Sequence, residues 1–567
     1  MSAGTLAPPA AVVPSARRGE RLRMRLGLRR LPLSERVMSW LGPIALGLIA
    51  LGMRLHRITN PRCLMFDETY YPSDAKSLYD HGVEGMFSAN VLTCEGKPST
   101  NNSYLYPAHP PLGKWVLGIG EQIWGFNPLG WRFMSAVLGS LCVVLVARIG
   151  RRLTGSTMLG CLAGLLVALD GLEFVLSRTG ILDIFVLFWL LCALACLLAD
   201  REQGRARLAA AMDAGGSAAW PGPKTGVRWW RVATGACLGA LVSTKWSGLP
   251  FLVLFAALAI AWDAGARRVA GVRAPVRAAL WRDGKQAVAV FALIPIAIYT
   301  ASFTGYFATH SGWDRGYHTQ AVTTDTPKKV GTNNGPGIIA TARAWWHYHY
   351  DVLCFHENLE NDHHTDTCTK GYDAVSHHPY ESKPFGWLVL ARPVLFAYDG
   401  IKDGERTADA GPDAGQVCHA HGDSNGCSRT VLAVGTPALW WIGLAALLVT
   451  GGIFVARRDW RAGLLGMMFL AAFTPWLLNT ERVMFLFYAL PIVPIYALSI
   501  ALVGSYALGG PRASPTRRTV AACALALVAL LVLINFAWLR PVLAGDVIPY
   551  HEWSDRVIGT WGFPGWL

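Results

Sequence analysis

Residues 519–540 read TVAACALALVALLVLINFAWLR, a run whose single charge is its closing arginine. About 20 predominantly apolar residues is the length a helix needs to cross a bilayer. Ten further windows of the same kind lie upstream, at 38–58, 131–150, 157–176, 180–199, 230–247, 248–263, 286–306, 431–456, 462–478 and 483–508. Eleven such windows predict an all-α polytopic integral membrane protein. The composition agrees: of 567 residues, 53% are hydrophobic and only 16% charged. A soluble chain carries roughly 25% charge, so neither a disordered protein nor a string of soluble domains fits.

The net charge of +14 would suit nucleic acid if it formed one patch. Distributed over the spans it does not. Alternate connections, beginning with the N-terminal segment, collect 29 of the 51 basic residues and only eight acids, a balance of +21; everything else sums to −7. Positive charge accumulates on the cytoplasmic side of membrane proteins, so the N-terminus is expected inside and, after eleven spans, the C-terminus outside. Residues 1–36, basic and rich in Pro and Ala, read as a disordered cytoplasmic tail with no cleavage site behind it. Residues 37–540 form the membrane domain, and 541–567 an extracytoplasmic tail. Nucleic acid is not an expected partner.

Two long connections, 59–130 and 307–430, fall outside. They hold most of the 15 histidines, and the rest sit in the tail or at outer span ends. The outer loops also hold Cys63, Cys94, Cys354, Cys368, Cys418 and Cys427. An even cysteine count suits disulfides in an oxidising compartment. Connectivity is not readable from sequence; Cys63–Cys94, Cys354–Cys368 and Cys418–Cys427 are the expectation. His347, His349, His356, His363, His364, His377 and His378 match no closed zinc pattern, and no metal site is expected. No matching pair of broken helices supports an inverted-repeat transporter.

Phe66-Asp67-Glu68 stands about eight residues beyond the first span. Neighbouring side chains on a helical turn diverge by about 100°, so one acid can face a substrate while the other orients or braces. His109-Pro110-Pro111-Leu112-Gly113-Lys114 leads into an apolar stretch, 112–124, that predicts a helix lying at the interface. Arg178 and Asp183 flank an outer turn, with Asp170 and Glu173 on its near side; intramembrane charges face a partner or a cavity, and an Arg178–Asp183 pair is the plain alternative. Lys245 closes the fifth span, where snorkelling is the bland reading. Arg482 stands before an apolar span, placed either to fork onto a phosphate or to pair with Glu481. The stretch 400–430 receives no role.

These motifs, with Ser243-Thr244-Lys245-Trp246-Ser247-Gly248-Leu249, Ser382-Lys383-Pro384-Phe385-Gly386-Trp387, Arg392-Pro393 and Arg482-Val483-Met484-Phe485 leading into Tyr488-Ala489-Leu490-Pro491, resemble the bacterial protein O-mannosyltransferases, in family order from about residue 55 to about residue 500. Gly180 departs from relatives that carry a bulkier residue there. The resemblance implies a GT-C membrane glycosyltransferase that takes mannose from a polyprenyl-phosphate-mannose donor in the bilayer. The acceptors it implies are Ser or Thr hydroxyls of exported proteins, including proteins still emerging from the export machinery. It also implies a cell-membrane location with the active site on the extracytoplasmic side.

By the same resemblance Asp67 is the general base of an inverting single displacement, and Glu68 orients acceptor or mannose. Arg482, Arg178 and Lys245, in that order, hold the donor phosphate. His109 and Lys114 shape the donor path, and Asp183 positions substrate. The leaving phosphate is already ionised, so no cofactor is required, although this logic leaves a divalent metal open. Transfer of another lipid-linked sugar, such as arabinose, aminoarabinose or glucose, is the alternative enzyme reading; a transporter or membrane scaffold is the non-enzymatic one.

Overall fold

The computed structural model describes residues 22–27, 33–85, 87, 93–94, 108–309, 311–313, 315, 337–357, 378–407, 416–478 and 482–557. Among them, eight helices are long and apolar enough to cross a membrane. They include α1 (Leu33–Leu55), α4 (Pro128–Thr154), α7 (Asp183–Asp213) and α9 (Leu249–Val269), the last reached through a 3-10 turn from Trp246. The others are α10 (Pro275–Ser302), α14 (Pro437–Arg457), α16 (Ile492–Leu508) and α17 (Pro515–Ala544). The remaining three expected spans fall on shorter helices, each interrupted for a local reason.

Window 157–176 splits into α5 (Thr157–Ala168) and α6 (Gly171–Leu176) because the Asp170 carboxylate caps α6 by accepting from the Glu173 N–H. Window 230–247 is α8 (Trp229–Val242), after which the chain extends at Lys245. Window 462–478 is α15 (Trp460–Phe473), ended by the 3-10 turn at Pro475.

α16 is enclosed: Ile492, Val493, Ile495, Tyr496 and Leu498 are buried. α17 instead turns Val520, Leu527, Leu530 and Ile534 outward, as a lipid-facing helix must. Towards the C-terminal end of α7, Asp200 and Asp263 share Arg228 and Arg231 in a buried network with contacts of 2.6–3.0 Å, tying α7, α8 and α9 together.

The connection 59–130 carries two helices where it is described, α2 (Tyr71–His81) and α3 (Leu112–Trp124), which pack on each other, and α3 packs on α4. The stretch 307–430 carries α11 (Thr304–Ala308) at its start, then α12 (Ile338–Glu357) and α13 (Pro384–Trp387). The helical bundle also carries one small sheet here. β1 (Val394–Ile401) and β2 (Cys427–Ala433) form an antiparallel hairpin, and β3 (Val547–Pro549) adds to the other edge of β2, in the order β1-β2-β3. Every residue of β2 is buried, because α6 and α17 pack against it.

The segment left without a role, where it is described (400–407 and 416–430), thus belongs to the strand ends and tip of this hairpin, closed by Cys418–Cys427. Nor is 541–567 a loose tail where it is described: β3 and α18 (Tyr550–Arg556) dock on the hairpin, with His551 on Asp423 at 3.1 Å. Cys63–Cys94 also forms. Cys354 is disulfide-bonded, and its expected partner Cys368 lies outside the described residues, as does most of 1–36.

Candidate active site

The two acids of Phe66-Asp67-Glu68 part company as a tight turn demands. Met65 is extended, Phe66 is left-handed (φ +48°), and Phe66–Thr69 is a single 3-10 turn. Glu68 points inward and is wholly buried. Its carboxylate accepts from Arg132 Nε and Nη2, both at 2.7 Å, from the Gly180 N–H at 2.7 Å and from the Met65 N–H at 3.0 Å. Arg132 spends its other donors on the carbonyls of Ile58, Pro61 and Cys63. With both carboxylate oxygens engaged and the side chain wholly buried, Glu68 braces the turn against α4 and the 178–182 turn. A Cβ on Gly180 would lie 3.0 Å from the Trp131 carbonyl, so a bulkier residue there requires the backbone to shift.

Asp67 faces the other way and is half-buried. Tyr71, one turn on, donates to its Oδ2 at 3.5 Å. Lys245 and Asp183 are near enough for their charges to act on it, and burial, the largest effect, raises its carboxyl to about 6. Lys245 Nζ is salt-bridged to Asp183 Oδ2 at 2.7 Å and lies 5.8 Å from the Tyr488 ring. The extended backbone at Lys245 ends α8 short, and Asp183 is the first residue of α7, so two broken span ends supply this pair.

Arg482 completes the group. Its guanidinium lies about 6 Å from the rings of Trp476 and Tyr488, at 6.0 and 5.9 Å. Its Nη2 meets His356 Nδ1 at 3.1 Å, while His356 Nε2 meets the Ala108 carbonyl at 2.7 Å. A carbonyl only accepts, so Nε2 carries the proton and Nδ1 accepts from Arg482. His356 is therefore neutral, and burial, then the Arg482 charge, lowers it to about 3. His109 stacks on His356 at 5.2 Å, and burial and nearby cations hold it well below the usual histidine range. Among the described residues Arg482 has no carboxylate partner, and its Nε makes no hydrogen bond.

The expected residues therefore separate. Asp67, Asp183, Lys245, Arg482 and His109 converge. Arg178 does not join them: Nη1 donates to the carbonyls of Arg54 and His56, both at 2.7 Å, and Nη2 to that of Arg57 at 3.1 Å. It caps the C-terminal end of α1 and does not pair with Asp183, which Lys245 holds instead. Lys114 is also spent, buried between Asp74 at 2.9 Å and Glu84 at 2.7 Å, where it ties α3 to α2. Sequence reading missed Tyr71, Tyr488 and His356 as site residues. His349 and His356 stand seven apart on α12, hence on one face, which was the available signal. Among the described residues no three His, Cys, Asp or Glu side chains are grouped as metal ligands.

The site thus gathers a carboxylate, a lysine and an arginine at the broken ends of a bundle of lipid-facing helices, and the comparisons with known proteins give its class, a membrane glycosyltransferase. Two family models cover most of the chain: dolichyl-phosphate-mannose-protein mannosyltransferase matches residues 44–310, and the C-terminal four-transmembrane region of protein O-mannosyltransferase matches 341–561. A polyprenol-phosphate-mannose–protein mannosyltransferase of Mycolicibacterium smegmatis is 37% identical over 92% of this chain and 91% of its own length. Its Mycobacterium tuberculosis counterpart is 36% identical over 94% and 92%. The S. cerevisiae protein O-mannosyltransferase Pmt1–Pmt2 complex bound to the sugar donor shares the fold, with a TM-score of 0.66 at 13% identity over 97% of this chain and 94% of that one. The chain belongs to the protein O-mannosyltransferase family and is a multi-pass membrane glycosyltransferase.

Proposed function

We propose that the protein transfers mannose from polyprenyl-phosphate mannose to Ser or Thr hydroxyls of exported proteins, with Asp67 as general base. The observation that carries this reading is the convergence of a half-buried Asp67 with the Lys245–Asp183 pair and an Arg482 whose Nε is unspent. A hydroxyl is a poor nucleophile until a base takes its proton. Asp67 takes that proton as the acceptor oxygen bonds to mannose C1, the C1–O bond to phosphate breaks on the opposite face, and the polyprenyl phosphate leaves with the electron pair. The anomeric centre inverts.

The phosphate departs as an anion and needs cations rather than a general acid. Arg482 and Lys245 serve that role; Arg178, occupied with four backbone carbonyls, does not. Asp183 orients Lys245, and His356 with His109 orients Arg482. The displacement requires no cofactor, and turnover measured before and after chelation of divalent ions tests whether a metal assists it. The site lies on the extracytoplasmic side, where acceptors are met as they leave the export machinery.

The test is an in vitro transfer assay with polyprenyl-phosphate mannose and a Ser/Thr peptide. Wild type glycosylates the peptide and Asp67→Asn, inserted at the same level, does not. Full activity of Asp67→Asn removes the base assignment, and turnover only with a lipid-linked pentose removes the mannose reading.

A further inference from the structure

Phe66, immediately before the proposed base, holds a left-handed backbone at φ +48°. A bulky non-glycine residue keeps such a conformation only where its surroundings over-determine it. Those surroundings are four rings. Phe396 stacks on Phe66 at 5.0 Å with 9° between planes, and Phe485, Phe487 and His378 present their edges at 5.4, 5.8 and 6.0 Å.

Phe396 reaches this position through a break in strand register. Leu395 pairs with Leu432 and Ala397 with Val431, leaving Phe396 as the extra residue of a β-bulge. A bulge re-aims the side chain it carries, and here the re-aimed ring is buried against Phe66. The hairpin is itself held from both sides, by Cys418–Cys427 and β3 at its tip and by α6 and α17 behind β2.

We infer that Phe396 is a positioning residue: its stack on Phe66 locks the left-handed turn that aims Asp67 at the acceptor hydroxyl, which makes the disulfide-closed hairpin a working part of the active site. The inference rests on Asp67 being the base. An ordinary core phenylalanine would affect stability without selecting the chemical step, so the test separates the two.

Full-length enzyme in nanodiscs is assayed as Phe396→Leu, Phe66→Leu and the double variant, each checked for folding by circular dichroism. Phe396→Met, closer in reach to the ring, carries the same measurement if the leucine variant fails to accumulate. Phe396→Leu should lower kcat about tenfold or more and leave KM for polyprenyl-phosphate mannose within about twofold. Its acid limb should move below pH 6, because looser packing admits water to Asp67 while Lys245, Asp183, Tyr70, Tyr71 and Tyr488, the charged and titratable groups facing it, and His378 beside Phe66, are unchanged.

The double variant should be no slower than Phe66→Leu alone. Unchanged kcat in Phe396→Leu, or losses that multiply in the double variant, would overturn the inference. Asp67→Asn is measured alongside: its retained activity removes the base reading itself, whereas an inactive Asp67→Asn beside a fully active Phe396→Leu removes this inference alone.

Discussion

A carboxylate works as a base only while ionised, so the raised carboxyl of Asp67 sets an expected pH profile. Above about 6 the group is charged; below it, each further pH unit should cost about tenfold in kcat. A rate that stays flat from pH 7 to 4.5 would contradict this. Charge alone is not what Arg482 offers: its fork, steadied by His356, suits phosphate oxygens in a way an ammonium does not. Arg482→Ala should lower kcat by ~10²–10³, the usual loss for one transition-state donor, and Arg482→Lys should recover only part of it. Recovery to wild-type rate by lysine would reduce the role to a point charge.

Elements explain why residues of equal promise on paper differ in the fold. Glu68 and Arg178 both hold loop to helix, one by bracing the 58–68 turn through Arg132 and the other by capping α1. Removing one partner of a buried ion pair costs about 3–5 kcal/mol, so Glu68→Gln should melt well below wild type when thermal unfolding is followed by tryptophan fluorescence. Arg178→Ala should do likewise, leaving the carbonyls at the end of α1 uncapped, while the donor KM of whatever folds stays near wild type. A large rise in that KM with unchanged melting would return Arg178 to the phosphate site.

The adjacent acids were legible as a diverging pair, but which one is spent depends on Arg132, 64 residues away, and no local pattern carries that. Arg178 and Arg482 look alike as arginines at span ends; only the carbonyls around Arg178 separate them. The hairpin escaped for a different reason. Val431-Leu432-Ala433 runs straight into α14, and a short apolar run reads equally as strand or helix, so the span window absorbed part of β2.

At the scale of the molecule, the asymmetry of +21 on one face against −7 elsewhere predicts which side each end of the bundle occupies. The spans beneath it held as helices, although three are shorter than a membrane crossing requires on its own, and two of those, α6 and α8, end beside the residues that support or form the site. Ser217 is exposed in the turn after α7, whereas Ser424 is exposed at the hairpin tip, the end that carries Asp67. If the charge-derived orientation holds, a membrane-impermeant maleimide should label Ser424→Cys in intact cells. It should reach Ser217→Cys only after permeabilisation. The free cysteines among the described residues are first replaced by serine, since Cys161, Cys192, Cys196 and Cys237 are partly exposed and Cys523 is exposed, and only Cys142 is buried. The reverse pattern would put the acidic, catalytic face in the cytoplasm, where polyprenyl-linked mannose would have to be used before export, and would require the basic excess to sit outside against the rule that governs insertion. Labelling of neither site in intact cells but both after permeabilisation would mean an even number of crossings between them, and would make α8, the short helix that lies between the two sites, a re-entrant segment.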